Sequence, residues 1–335
     1  MLKSWGFLGF AIAAISLAGC GSSTVSRDAA DLVVGDIGAG DAGPETSRVF
    51  ADVTGDGTQI QSLAQALVAG DTVTARQEST SAVRIGFDQT ASRTDADLKL
   101  RVNDAGELTM ILNGVEHVFT ENDRLIENGN FVGYDVQDPV TGEFYGLFTF
   151  SSFDMDDFLD PNNTRAAQSV RGHSSRVTED GSVWAFAVTG AETRDETLTS
   201  LPTATYSGRS VTDIYPSSGL VGIQESRTRL RSDVLMVADF GGGTVSGEMT
   251  NLTQSVSGNP AVDLAGQINM DPAMLNGNGF NGTLSPDATF SAANGDIDGT
   301  YSGAFYGATA EGVAGALSIQ GTDSIGHGFF GADRQ

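Results

Sequence analysis

The half of the chain beyond Pro202 breaks into short β-type segments at near-regular spacing, each bounded by glycine or another turn residue. The candidate strands are Thr205–Ser210, Val234–Phe240, Thr244–Asn251, Val262–Met270, Gly279–Leu284, Ala288–Ala292, Gly299–Tyr306, Gly312–Ile319 and Gly326–Phe330. Short strands at that interval, with turn signals between, suggest a closed antiparallel barrel or a sandwich. Glycines at alternate positions, as in Gly299-Thr-Tyr-Ser-Gly303, let a small barrel coil tightly and let aromatic neighbours lie over bare backbone. The 43 glycines follow no collagen period and are joined by only 8 prolines, so they read as turns and packed strands rather than a disordered tract.

Upstream the texture changes but remains β-rich. Val83–Phe87, Leu98–Val102 and Leu108–Leu112 are strand-like, and Asn113-Gly114 joins the last to Val115–Phe119 with a type I′ hairpin signature. Phe131–Val136 and Glu143–Phe150 flank the turn Asp138–Gly142, Asp154–Asn163 is an acidic surface loop, and Val183–Val188 returns to strand. One helix is predicted: Ile60, Leu63, Ala64, Leu67 and Val68 form a single apolar stripe. Thr58 and Gln61 supply its capping box and Gly70 its stop.

At the start, Lys3 precedes an apolar run from Trp5 to Leu17, then Leu17-Ala18-Gly19-Cys20. That is the order of a secretory signal, and the run is shorter than the roughly 20 residues a spanning helix needs. The tetrapeptide resembles the lipobox of bacterial lipoproteins, which implies lipidation at Cys20 and attachment to a membrane through it. Cys20 is the one cysteine, so no disulfide forms despite export. Gly, Ser, Ala and Asp dominate residues 21–57, a tether with only weak strand signals at Asp31–Val34 and Arg48–Phe50. A flexible coil of that length reaches roughly 30–35 Å. The organisation predicted is a signal at 1–19, a lipidated tether at 20–57, a β-rich domain at 58–201 and a β-barrel at 202–335.

Removing residues 1–19 takes Lys3 and no acid, so the formal charge moves from −25 to −26. Nucleic acid is excluded as a partner, since phosphate binding needs clustered cations. His117, His173 and His327 are scattered without metal-ligand spacing, and no nucleophile elbow, paired-carboxylate frame or phosphate loop appears. No catalytic residue, metal or cofactor is therefore expected. Asp52–Gly57 and Asn294–Gly299 echo calcium loops but lack the twelfth-position glutamate, and read as Asx-rich turns. Against the acidic background, Arg227-Thr-Arg229-Leu-Arg231 stands out. In an extended chain its three guanidiniums share a side, giving either a docking stripe for an acidic partner or anion, or a face that neutralises nearby carboxylates. Tyr215, in what reads as an exposed turn, is a candidate anchor beside it.

Several motifs resemble one family. Ala204-Thr-Tyr-Ser-Gly208, Val237-Ala-Asp-Phe-Gly241 with Thr244-Val-Ser-Gly247, and Asn278-Gly-Phe-Asn-Gly282 are similar to barrel segments of transferrin-binding protein B-like surface lipoproteins. So are Gly303-Ala-Phe-Tyr-Gly307-Ala-Thr-Ala-Glu311, Gly315 and Gly328-Phe-Phe-Gly-Ala332-Asp-Arg334. Thr189-Gly190 and Leu201-Pro202 look like the junction between that family's handle region and its barrel. Ala308 and Ala314 depart from the pattern, standing where proline and glycine are usual. The resemblance implies a mostly β fold: tether and helix, handle, then an eight-stranded-type antiparallel barrel. It also implies a non-catalytic outer-membrane or cell-surface lipoprotein binding a protein or solute, in metal or haem uptake with an outer-membrane transporter. A periplasm-facing scaffold that binds other envelope proteins is the alternative.

Overall fold

The computed structural model describes residues 72–74, 79–87, 90–102, 107–128, 131–150, 167–190, 192–217, 227–256 and 259–335. Cys20, the tether, the helix expected between Thr58 and Gly70, the loop Asp52–Gly57 and the acidic stretch Asp154–Asn163 lie outside these residues. The first eleven strands are β1 Thr72–Thr74, β2 Thr80–Gly86, β3 Ala91–Thr94, β4 Leu98–Val102, β5 Leu108–Leu112, β6 Val115–Phe119, β7 Arg124–Asn128, β8 Phe131–Gln137, β9 Phe144–Phe150, β10 Ala167–Thr178 and β11 Gly181–Gly190. The remaining nine are β12 Ala204–Pro216, β13 Thr228–Asp239, β14 Thr244–Val256, β15 Val262–Asp263, β16 Ile268–Asn276, β17 Gly279–Pro286, β18 Ile297–Tyr306, β19 Gly312–Gly321 and β20 Ser324–Arg334.

The barrel is the expected antiparallel one and it closes. Its order is β13-β12-β20-β19-β18-β17-β16-β14, and β14 pairs back onto β13 from Asp239↔Thr244 to Thr228↔Val256. Closure removes the open edges that would otherwise template aggregation. Phe305 is the hub of the interior, with ring centroids 5.0 Å from Phe240, 5.6 Å from Phe280 and 5.7 Å from Tyr206.

Two barrel segments differ from the sequence reading. Ala288–Ala292, expected as a strand, lies in the helix Ala288–Asn294, because Asp287 caps it by accepting from the Phe290 amide at 2.6 Å. That helix sets Phe290 into the barrel core as a plug. Val262–Met270 is not one strand: Gly266, at φ +88°, breaks it between β15 and β16. A side chain at Gly266 would collide with the backbone of Phe290, so the bend and the plug require each other.

Upstream, β3-β2-β11-β10-β9-β8-β7 form one sheet and β1-β4-β5-β6 a second. The Asn113-Gly114 hairpin has both residues at positive φ, as a type I′ turn requires. One face of the larger sheet packs Val183, Ala185, Val170 and Leu147 against Leu98, Leu100, Met110 and Phe119 of the smaller. Its other face packs on the outside of the barrel. Phe186 and Val188 meet Val211, Ala304, Tyr306, Ala314 and Phe329, while Val83, Ile85 and Trp184 meet Tyr215 and Ile325. Two cores therefore share β11, which is buried from Gly181 to Val188. Its large residues point to the barrel and its alanines to the other sheet. β10 escaped the sequence reading because Ala-Gln-Ser-Val-Arg-Gly-His-Ser-Ser carries polar side chains where it is buried.

The last barrel strand in chain order, β20, sits between β12 and β19, with Tyr206↔Arg334 and Val211↔Phe329 in register. Removing residues 326–335 takes out a central strand rather than an edge. The truncated chain is expected to lose the cooperative thermal transition of the barrel. A calorimetric transition of unchanged midpoint would show that closure through β20 is dispensable.

Candidate functional site

The barrel has two unlike ends. At one, the motif residues are spent on holding turns. Tyr206 Oη donates to the Ala310 carbonyl at 2.9 Å. Asn278 grips Phe305 through both backbone groups, donating from Nδ2 at 2.9 Å and accepting at Oδ1 at 3.0 Å. Glu311 accepts from the Thr309 amide and hydroxyl, and its carboxylate occupies the space a side chain at Gly307 would need. Gly307 has φ +92°, so glycine is required there on both counts. Arg334 Nη1 donates to the Thr309 carbonyl. These groups fasten that end and leave little chemistry free.

The opposite half carries an unusual junction with the larger sheet. On β12, residues Thr205 to Arg209 alternate between solvent and core, but Ser210 to Asp213 are buried without a break because the sheet covers the outer wall. Asp213 is fully buried. Its carboxylate accepts from Arg229 Nε at 3.0 Å and Arg227 Nη1 at 3.1 Å, both arriving from β13 or its leading residue. Arg171 of β10 approaches from the sheet, its Nη2 3.9 Å from the same carboxylate. Register explains the meeting: Asp213 pairs with Arg229 on one side and His327 on the other, so all three point outward in one row. Burial pushes the Asp213 pKa up, but Arg171, Arg229 and Arg227 outweigh it and hold the group at about 2. It stays ionised.

Around this charge cluster lies an aromatic shelf. The Arg171 guanidinium stands 4.8 Å over the Trp184 ring, and His173 stacks on the other side of the sheet row at 4.2 Å from Trp184. His327 lies 4.9 Å from Phe186 and 5.8 Å from Tyr215. Ser81 ties sheet to barrel: its hydroxyl donates to the Gly328 carbonyl at 3.0 Å and accepts from the Gly328 amide at 3.2 Å.

The residues singled out from sequence are thus partly united. Arg227 and Arg229 share one side of β13, as alternation predicted, and both are turned onto Asp213. Arg231 lies two pairs further along, opposite Val211, and is half-buried. Tyr215 corrects the expectation of an exposed turn: β12 runs on to Pro216, and the tyrosine is 1 % exposed under the sheet. Burial, then the Asp213 charge, raises its hydroxyl pKa. Asp213, Arg171 and Trp184 went unread. The available signal was an acid at an outward position in Ser-Val-Thr-Asp-Ile-Tyr, a strand otherwise apolar or neutral. Asn294, in the second loop that echoes a calcium site, donates its amide to the Ala265 and Phe290 carbonyls. Among the described residues no three His, Cys, Asp or Glu side chains converge as a metal site.

Replacing Asp213 by alanine leaves three guanidiniums facing one another, and this is expected to cost about 3–5 kcal/mol of stability, the usual effect of orphaning a buried ion-pair member. Urea unfolding at pH 7.5 measures it; a loss below 1 kcal/mol, the usual ceiling for an exposed pair, would mark the cluster as solvated.

The histidines set an acid limit. Burial drives His327 and His117 down to about 4, and Arg176 and His173 add to the effect on His117. The folded pKa lies below the unfolded value of 6.5, so the unfolded chain takes up the proton first. The stabilisation is whole above pH 6.5 and is lost as pH falls toward 4, by about 3 kcal/mol for His327 alone. His327→Phe should flatten the urea-midpoint profile between pH 6.5 and 4.5; an unchanged slope would place the acid response elsewhere.

Residues 200–334 match the family model described as the C-lobe and N-lobe beta barrels of Tf-binding protein B. Among solved structures, the chain is similar to transferrin-binding protein B of Haemophilus parasuis, a Trp-to-Ala mutant, at 14% identity and TM-score 0.42 over 76% of this chain and 45% of that one. It is similar to the isotype 1 protein of Neisseria meningitidis at 18% identity and TM-score 0.40, covering 76% and 43%. HpuA of Kingella denitrificans, solved with human haemoglobin, matches at 13% identity and TM-score 0.40, over 84% and 92%. The chain therefore spans less than half the length of the first two. No curated protein matches it.

Proposed function

We propose that this chain is a lipid-anchored outer-membrane lipoprotein that binds a protein or small-solute ligand at the cell surface and serves metal or haem acquisition without catalysis. The observation that carries this reading is the barrel at 200–334, which matches the model of the Tf-binding protein B barrels and whose turns are held by Tyr206 and Glu311. The solved structures it resembles include one holding human haemoglobin, which suggests an iron or haem protein as the first ligand class to try. The segment Ile214–Arg231, of which residues 218–226 lie outside the described residues, is the proposed ligand-facing region. Arg227, Arg229 and Arg231 are its candidate contacts to an acidic surface, and Arg227 and Arg229 also bond Asp213. The leading sequence supports the anchor: Leu17-Ala18-Gly19-Cys20 follows a basic residue and an apolar run. Two or more acyl chains at Cys20 would exceed what stable anchoring needs.

Replacing Cys20 with alanine is expected to release the chain from the membrane fraction, and protease treatment of intact cells is expected to degrade the wild-type chain. Membrane retention of the alanine variant would remove the anchor at Cys20. Full protection from protease on intact cells, with degradation after outer-membrane permeabilisation, would favour the periplasm-facing scaffold. Biosensor titration of the full chain with haemoglobin and with transferrin tests the ligand class.

A further inference from the structure

The junction around Asp213 holds too much positive charge for what it is paired with. Arg171, Arg227 and Arg229 have side-chain exposures of 13%, 18% and 16%, and the one carboxylate within ion-pair reach of them among the described residues is Asp213. Among the described residues one carboxylate therefore serves three cations, in a chain whose overall charge is −25. Withdrawing guanidinium charge from water without a counter-ion is costly. Hydrogen bonding tells the same story. Each guanidinium carries about five N–H donors. Yet Arg227 and Arg229 each make a single side-chain hydrogen bond among the described residues, both to Asp213. Arg171 makes none there: its Nη2 is beyond hydrogen-bond range of Asp213, and its Nε is buried and without a partner. Burial lowers the Arg171 pKa, yet the group is pinned by the Trp184 face rather than by an acceptor. Buried polar groups in folded proteins are nearly always satisfied, so the Arg171 Nε together with two guanidiniums sharing one carboxylate leaves donors available to an acceptor.

We propose that the Arg171–Arg227–Arg229 cluster is a binding site for a small oxyanion of the phosphate or carboxylate class, held between the larger sheet and the barrel. The planar donor forks suit two-oxygen recognition, with Asp213 orienting two arginines from behind and Trp184 orienting the third. Low exposure of all three side chains favours a free solute over a side chain presented by a bulky partner. Arg227 and Arg229 also lie within the segment Ile214–Arg231 of the proposed function, but titration with inorganic phosphate or malonate involves no protein ligand, so failure of this site is distinguishable from failure of that reading.

The test uses the full chain titrated with sodium phosphate, and separately with sodium malonate, against sodium chloride at matched ionic strength. A saturable rise in melting temperature with phosphate or malonate, absent in chloride, is expected, and the arm that saturates at lower concentration assigns the anion class. Calorimetry should give a one-site isotherm. Arg171→Gln removes the orphan donors and is expected to weaken binding about tenfold or more, the scale of a lost charge-assisted hydrogen bond. Asp213→Asn removes the cluster's own carboxylate, so an anion response that appears only in that variant and is absent from the wild type would mark the cluster as a staple and overturn the proposal. Equal response to chloride, or unaltered binding by Arg171→Gln, overturns the proposal. Should Arg171→Gln not fold, the wild-type titration and the Asp213→Asn comparison decide the matter.

Discussion

Everything in this molecule leans on a barrel wall that is buried from both sides. Strands β12 and β20 line the core with Tyr206 and Phe330 on one face, and on the other seat Val211, Phe329 and Tyr215 beneath the larger sheet. A sheet can lie that close only where the outer wall is shallow, and Ala304 and Ala314 keep it so beside the larger rings of Phe186 and Phe329. Ser81 then fixes the offset between the layers, because its hydroxyl is both donor and acceptor to a single residue, Gly328. Sliding the sheet by one residue would break both bonds and strand Asp213 away from Arg171.

That arrangement determines what the sequence could and could not disclose. Strands facing solvent on one side kept their two-residue period: β4, β5 and β6 are bounded as their alternation and the Asn113-Gly114 turn predict. The longer barrel strands were underestimated. β12 and β13 continue past the expected ends through Asp213, Arg229 and Arg231, whose charges looked like loop material. They belong to strands because they satisfy each other across the register, a fact of pairing that no local window contains. β10 was missed for the same reason, since Arg171 and His173 sit at inward positions of a buried strand. The helix at Ala288–Asn294 was legible in principle through its Asp287 cap, but five small residues in seven read as a strand under the barrel's rhythm. The arginine row itself was visible; that it faces a buried aspartate in its own chain was not, because the partner lies across a turn of unfixed length.

The family resemblance and the candidate site draw on different residues. Tyr206, Asn278, Gly307 and Glu311 make the barrel recognisable, and each is engaged in holding a turn. Recognition of the fold through these residues is therefore recognition of a closure mechanism, and it fixes no ligand. The junction cluster, with its surplus of arginine and its neutral histidines, lies on the far side of the same strands, where the barrel's own stability makes no demand for charge.

The position of β20 has a consequence for the order of folding. Its neighbours are β19, the strand just before it, and β12, which begins 120 residues earlier by the numbering of Ala204 and Ser324. The barrel cannot close until that strand is in place, and contacts so distant along the chain form slowly. The timing of closure is written into the strand order.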